Sequence, residues 1–317
     1  MLRRLLVLGA GGFLGRSLAQ HVVDEGGADL ALHFRTDDEP GSCAHDVETH
    51  TLDLLTCPAG AIVGMVDRVR PDVVVNCTGL TVGQPDELRA ANVDVVTRLI
   101  DELDGRNDVH LVHFGSAAEY GIQPYRGPVL ETTRPVPRSA YSISKLEATR
   151  RLQTAASESR LSVTVLRLFN PVGRFSPPTT LPGSAARKIE QALRRGAESI
   201  SLGPLDSWRD YIDVRDIARA VLAVADSTPP SGMVLNVGRG EATGTRDLVA
   251  GLAAIAGYRG SIDESDAGSL RSQTVDWQCA DVEQIKRTLG WSAIHSIDES
   301  LADLWTETSA CRELADD

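Results

Sequence analysis

The chain has 317 residues, 42% hydrophobic and 24% charged, the balance of an ordinary soluble globule with room for one large α/β unit and an appended lobe. Its 44 acidic and 32 basic side chains give a formal net charge of −12, which excludes a broad basic face for nucleic acid or an anionic membrane. No stretch approaches the roughly 20 apolar residues of a membrane span. The five cysteines never form a CxxC pair and the seven histidines show no HExxH spacing, so the expectation is reduced thiols, no metal site and a cytoplasmic location.

"RLLVLGA" (4–10) predicts a first strand and "FLGRSLAQHVVDEG" (13–26) an amphipathic helix. The apolar start is no signal peptide, because glycines interrupt it where a structural turn wants them. Gly9, Gly12 and Gly15 form GxxGxxG on the turn between strand and helix. Glycines there allow a tight turn and a close approach of backbone to a pyrophosphate, which then sits at the positive end of the helix. Gly9, Gly12, Phe13, Leu14 and Gly15 are therefore candidate cofactor contacts.

"DLALHF" (29–34) is a second strand, and the residue that follows it selects the dinucleotide. An acid would bind the ribose hydroxyls of NAD; an arginine accommodates the phosphate of NADP. Arg35 stands there, so NADP is favoured over NAD, with Asp37 bending back to the ribose as the alternative. Asp53 and Leu54, in "HTLDLL" after a short third strand, are candidates for the adenine end; capping the next helix is the other reading of Asp53.

"DVVVNCTG" (72–79) and "VHLVHFGSA" (109–117) are continuous apolar runs, as strands buried on both faces require, with a helix over 85–103 between them. His110 and His113 in the second run read as structural. "SVTVLRLFN" (162–170) is a further strand. This alternation predicts a Rossmann-type, doubly wound parallel sheet over residues 1–170. The Pro/Gly/Ser-rich stretch 170–184 then opens a smaller C-terminal α/β substrate lobe, mostly 171–317 and non-contiguous, with segments near 213–238 returning to the sheet. Helices are expected near 185–195 and 213–226, a strand at 233–238, and helical stretches at 246–258 and 283–291.

"SAYSISKLEA" (139–148) places Tyr141 and Lys145 four apart, on one face of a helix. An ammonium beside a phenol favours phenolate, which suits the tyrosine to move the proton of a hydroxyl while a nicotinamide moves hydride. Ser116, at the end of the 109–117 strand, supplies a second hydroxyl where open α/β sheets bind ligands.

With "GAGGFLG", "LDLL", "NCTGLT", "AANVDVVTRLI", "FGSAAEYG", "YSISK", "LRLFNPVG", "WRDYIDVRDIA" and "LNVG", the chain resembles, over nearly its whole length, the extended short-chain dehydrogenase/reductases of the nucleotide-sugar epimerase/dehydratase kind. The resemblance implies that Ser116 and Tyr141 bind the reacting sugar oxygen and that Lys145 also holds the nicotinamide ribose. It implies that Asn92 supports the catalytic region, that Cys77, Thr78 and Gly79 line the middle of the cofactor, and that Phe169 adjoins it. Asn170, Arg209 and Arg271 would grip the diphosphate of a nucleotide-sugar substrate, as arginine forks match phosphate oxygens.

The 4,6-dehydratases of this family carry Asp–Glu after the hydroxyl residue; here Ala117 and Ala118 stand there, which argues against that elimination. A 4-epimerase and a 4-ketoreductase both remain. A carbonyl reductase of a non-nucleotide substrate is the alternative, followed by a non-catalytic NAD(P)-sensing protein, a kind that typically loses the tyrosine or the lysine retained here as Tyr141 and Lys145. The resemblance also implies a homodimer through a four-helix interface, for which Val93, Val96, Leu99, Ile100, Ile143, Leu146 and Leu152 are the candidate apolar positions.

Overall fold

A computed structural model describes residues 3–36, 47–158, 160–227, 229–266 and 275–313. Seven parallel strands form the main sheet: β1 (Arg3–Leu8), β2 (Ala28–Phe34), β3 (Glu48–Thr51), β4 (Val73–Asn76), β5 (His110–Ser116), β6 (Ser162–Leu168) and β7 (Met233–Val237). Their order is β7-β6-β5-β4-β1-β2-β3, and every pairing is parallel. The order reverses between β1 and β4, and the C-terminal edge of such a switch point is where open α/β sheets bind ligands.

Both faces of the sheet are covered, which is why its strands read as unbroken apolar runs. Leu5, Val7, Val75, Val112 and Leu166 pack on one side with Leu18 and Val22 of α1 (Phe13–Glu25) and with Ile217 and Val221 of the helix Val214–Ser227. Leu6, Leu8, Val74, Leu111 and Val165 pack on the other with Ile62 and Val66 of α2 (Ala61–Val69) and Leu99 and Leu152. Leu99 belongs to α3 (85–102) and Leu152 to α4 (Ala140–Ser157).

Helix α3 differs from the even helix expected: Pro85–Arg89 and Val95–Glu102 are joined by a π turn, Ala90–Asp94. Asn92 sits in that turn. Strand β4 ends at Asn76, shorter than expected, because Cys77 and Thr78 turn toward the first glycine loop. Helices 61–69 and 297–313 were not foreseen. The segment 233–237 does return, pairing with β6 at the sheet edge.

Beyond the sheet, Val172, Ile189, Leu202, Tyr211, Leu248, Leu252 and Leu301 form a separate core. There Trp208–Asp210 pairs antiparallel with Ala242–Gly244 and parallel with Trp277–Gln278.

The apolar positions offered for a dimer face have another use. Val93, Val96, Leu99, Ile100, Leu146 and Leu152 are all buried within this chain, and of the set Ile143 alone is exposed, at 50%. The outer side of α3 and α4 instead carries the ion pairs Arg89–Glu147 at 3.0 Å and Arg151–Glu147 at 2.8 Å.

Candidate active site

The first turn is built for close approach. Gly9 has φ +76° and lies against Thr78, while a Cβ on Gly15 would stand 2.3 Å from the Gly9 carbonyl. Helix α1 begins at Gly12 with no side-chain cap, so its first backbone N–H groups face outward as an anion cradle. The His33 ring fixes this turn: Nδ1 accepts from the Gly9 N–H at 3.2 Å, which leaves Nε2–H to donate to the Leu52 carbonyl at 2.7 Å. His33 was not singled out in the sequence; its position at the end of β2, beside the glycine loop, was the only signal.

The neighbouring loop is tied down from two sides. Asn76 Oδ1 accepts from both the N–H and the hydroxyl of Thr78, at 3.1 and 2.6 Å. Asn92 brackets Leu80, accepting its N–H at 3.0 Å and donating to its carbonyl at 2.9 Å. The same Asn92 amide donates to Ser144 Oγ at 3.0 Å, and Ser144 donates to the Tyr141 carbonyl at 2.8 Å. Asn92 thus fastens the loop to the helix carrying Tyr141 and Lys145, which makes it a support; the π turn supplies the reach. Gly79, at φ +142°, leaves room for the Asn92 carbonyl.

Helix α4 starts at Ser139, whose Oγ accepts the Ser142 N–H at 3.1 Å while Ser142 Oγ accepts the Ser139 N–H at 3.0 Å, a reciprocal cap. This fixes Tyr141, half-buried, in the first turn and Lys145 one turn on. The helix packs on β5 and on the 3₁₀ turn Ala117–Tyr120. Lys145 is 5% exposed and donates to the Phe114 carbonyl, two residues before Ser116, at 2.5 Å. Burial pushes its amine down to about 8, against weaker opposing pulls from Glu119 and Cys77. Ser116 Oγ accepts the Ala118 N–H at 3.2 Å, which fixes the oxygen and leaves its own hydrogen to donate outward.

Glu119 is fully buried and bonds Arg167 at 2.7 Å and the Ser116 N–H at 2.8 Å. It lies in the 3₁₀ turn, and its ion pair with Arg167 takes its carboxylate out of the site.

The other candidates divide. Cys77 adjoins Lys145, and burial raises its thiol pKa far above the usual range. Leu54, 4% exposed, and Phe169, 0% exposed, belong to the core; the Phe169 ring packs with Tyr120 and Val129, so its side chain offers a bound molecule nothing. Asp53 accepts the Leu55 N–H at 2.9 Å. That bond first, and the Arg35 charge last, hold its carboxyl below the ordinary range. It caps a turn at 53–57, while α2 begins only at Ala61. Arg35 is exposed at the end of β2, beside Asp53.

On the lobe side, Asn170 donates to the Asp210 carbonyl at 2.8 Å. Arg209 is 6% exposed and donates to the Trp208 carbonyl at 2.9 Å. It also bonds the Val275 carbonyl and feels the charge of Asp276, while Asp210 accepts the Arg239 N–H at 2.8 Å and the Gly240 N–H at 2.9 Å, and Asp213 pairs with Arg215 at 2.8 Å. Arg271 lies outside the described residues, as do Asp37 and Asp38.

His110 bonds Ser162 and Thr164 and is structural. His113, expected to be the same, instead meets Lys145 Nζ at 3.3 Å and Asn76 Nδ2 at 3.1 Å. Among the described residues no helix is long and apolar enough to cross a membrane.

Residues 5–238 match the NAD dependent epimerase/dehydratase family, and the chain belongs to that family. It is 34% identical over 310 residues, 96% of each chain, to a dTDP-6-deoxy-L-talose 4-dehydrogenase (NAD(P)(+)) of Kitasatospora kifunensis. It is 28% identical over 311 residues, 95% of each chain, to a GDP-6-deoxy-D-mannose reductase of Pseudomonas aeruginosa. The structure of MoeE5 in complex with UDP-glucose and NAD matches with a TM-score of 0.82 at 26% identity, covering 98% of this chain and 99% of that one.

Proposed function

We propose that this chain is an NAD(P)-dependent 4-ketoreductase of a nucleotide-activated 6-deoxyhexose, acting in the cytoplasm. The observation that carries the reaction is the buried Lys145, one helical turn from Tyr141 and bonded to the strand that ends in Ser116. The substrate class rests on the 34% identity to a dTDP-6-deoxysugar 4-dehydrogenase over 96% of both chains. That similarity favours reduction over epimerisation, as does Arg35 at the adenosine end of the site. Residues 1–170 with the returning strand would hold the cofactor, and the lobe with its separate core would hold the sugar nucleotide.

The glycine turn fits a dinucleotide: Gly9, Gly12 and Gly15 with the uncapped start of α1 would hold the pyrophosphate, Thr78 and Gly79 the middle, and Arg35 the adenosine end. A bound nicotinamide supplies the hydride. The Ser116 hydroxyl donates to the keto oxygen and keeps it in place. Tyr141 gives that oxygen a proton as its negative charge develops, and the Lys145 ammonium makes the phenol more acidic. Asn170, Arg209 and Arg271 would position the diphosphate. Cys57, Cys77 and Cys279 are unpaired, which suits a reducing compartment.

Incubation of the purified protein with NADPH and a dTDP-4-keto-6-deoxyhexose tests the reading. Stoichiometric NADPH oxidation with formation of the 4-hydroxy sugar supports it; isomerised product without net oxidation would assign a 4-epimerase. A homodimer belongs to the proposal, through the outer faces of α3 and α4, resting on Ile143 and the Arg89–Glu147–Arg151 ion pairs. Light scattering reads its mass directly.

A further inference from the structure

We infer that His113 and Asn76 form a hydrogen-bond relay that penalises the ammonium form of Lys145 and so tunes the proton affinity of that amine. It follows from counting donors. The Thr78 N–H has no choice but to donate, and it meets Asn76 Oδ1 at 3.1 Å, with the Thr78 hydroxyl at 2.6 Å on the same oxygen. The Asn76 amide is therefore oriented, and its NH₂ end faces His113 Nδ1 at 3.1 Å. On the other side of the ring, Nε2 faces Lys145 Nζ at 3.3 Å. All three groups are buried: Asn76 and His113 are each 1% exposed and Lys145 5%.

A neutral imidazole has one N–H and one acceptor. With Asn76 donating to Nδ1, the ring hydrogen is on Nε2 and aims at Lys145, which can accept it only as a neutral amine. If Lys145 is an ammonium, it must donate to Nε2, the ring hydrogen moves to Nδ1, and two donors confront each other at Asn76. Relief by turning the Asn76 amide would set its NH₂ against the Thr78 N–H. Each route adds to the charged state one buried donor–donor clash that the neutral state does not have. Protonating the ring instead would put two cations in contact; burial first, and the Lys145 charge second, hold His113 well below its usual value.

The other groups facing Lys145 do not reverse this. From the 3₁₀ turn, Glu119 favours the ammonium but is spent on Arg167 at 2.7 Å. From the end of β4, Cys77 is a half-buried thiol that desolvation holds in its neutral form. From the π turn, Asn92 reaches α4 through Ser144, and both are neutral. His113 is thus a positioning residue: it acts on the reacting groups through Lys145.

The inference rests on the reading of Lys145 as the partner of Tyr141, and nuclear magnetic resonance tests the two separately. In the full chain labelled with ¹⁵N-histidine and ¹³C-lysine, His113 should change from the Nδ1–H to the Nε2–H tautomer at the pH where Lys145 loses its proton; a His113→Phe chain assigns the signals. In Asn76→Asp the carboxylate accepts Nδ1–H, so the ring should keep one tautomer throughout and the Lys145 titration should rise by about one pH unit or more. The alkaline limb of kcat/KM should move by the same amount. A tautomer that does not change across the Lys145 titration, or an Asn76→Asp chain whose Lys145 titrates where the native one does, overturns the relay whether or not the enzyme turns over a keto-sugar.

Discussion

Two buried cations stand near the end of β5, and they are treated in opposite ways. Arg167, 3% exposed, is bonded twice by Glu119, at 3.1 and 2.7 Å, and lies 4.5 Å from the centre of the Tyr120 ring. Lys145, 5% exposed, is hydrogen-bonded to a carbonyl and an imidazole, with no carboxylate bonded to it among the described residues. A buried charge needs compensation or its proton becomes loosely held. Arg167 is compensated, and the pair braces the turn beneath Ser116. Lys145 is not, and its amine is pushed down to about 8, the range in which a group can serve proton transfer near neutral pH.

The contrast is easiest to break from the paired side. Glu119→Ala leaves an uncompensated guanidinium in the core and should destabilise the chain by about 3–5 kcal/mol, read by chemical denaturation. A loss below about 1 kcal/mol would mean that Arg167 is not the structural member of the two. Lys145→Met should do the reverse, keeping or raising stability at neutral pH while turnover falls by about a hundredfold or more.

The pH dependence separates the roles further. The amine sits at about 8 in the fold against about 10.4 unfolded. Between those values the unfolded chain binds more protons, so the Lys145 contribution to stability grows as pH rises. Turnover should fall over the same interval, as the phenol loses its neighbouring cation. Unfolding free energies and kcat at pH 8 and pH 10 check both signs, and the stability rise should vanish in Lys145→Met.

A smaller effect contrasts two glycines. Gly15→Ala drives a Cβ to 2.3 Å from the Gly9 carbonyl, whereas Gly64→Ala meets nothing within 4 Å. The first should weaken NADPH binding at least about tenfold. The second should leave binding alone and add up to about 1 kcal/mol of stability from helix propensity. Cofactor fluorescence titration and thermal melts read the two outcomes.

Much of this was legible in the sequence, for reasons that can be named. Strands buried on both faces must be continuously apolar, so β1, β4, β5 and β6 were visible, as were the glycines at the turn into α1. Tyr141 and Lys145 sit one helical turn apart, a spacing the sequence displays directly. What was hidden depends on partners far along the chain. Glu119 finds Arg167 48 residues later, and Asn76 finds His113 37 residues later; no local pattern announces either. The broken course of α3 follows from Asn92 reaching Leu80, a tertiary tie that helical periodicity cannot register. Phe169 and Leu54 turn their side chains into the core, which a motif position does not reveal. The short strands of the lobe pair segments as distant as Trp208 and Trp277.

The most direct trial of Tyr141 as the proton donor is single-turnover NADPH oxidation in Tyr141→Phe with a dTDP-4-keto-6-deoxyhexose. The variant should bind NADPH as the native chain does and oxidise it about 10²- to 10⁴-fold more slowly. Oxidation within about threefold of the native rate, with cofactor binding intact, would show that the proton comes from elsewhere.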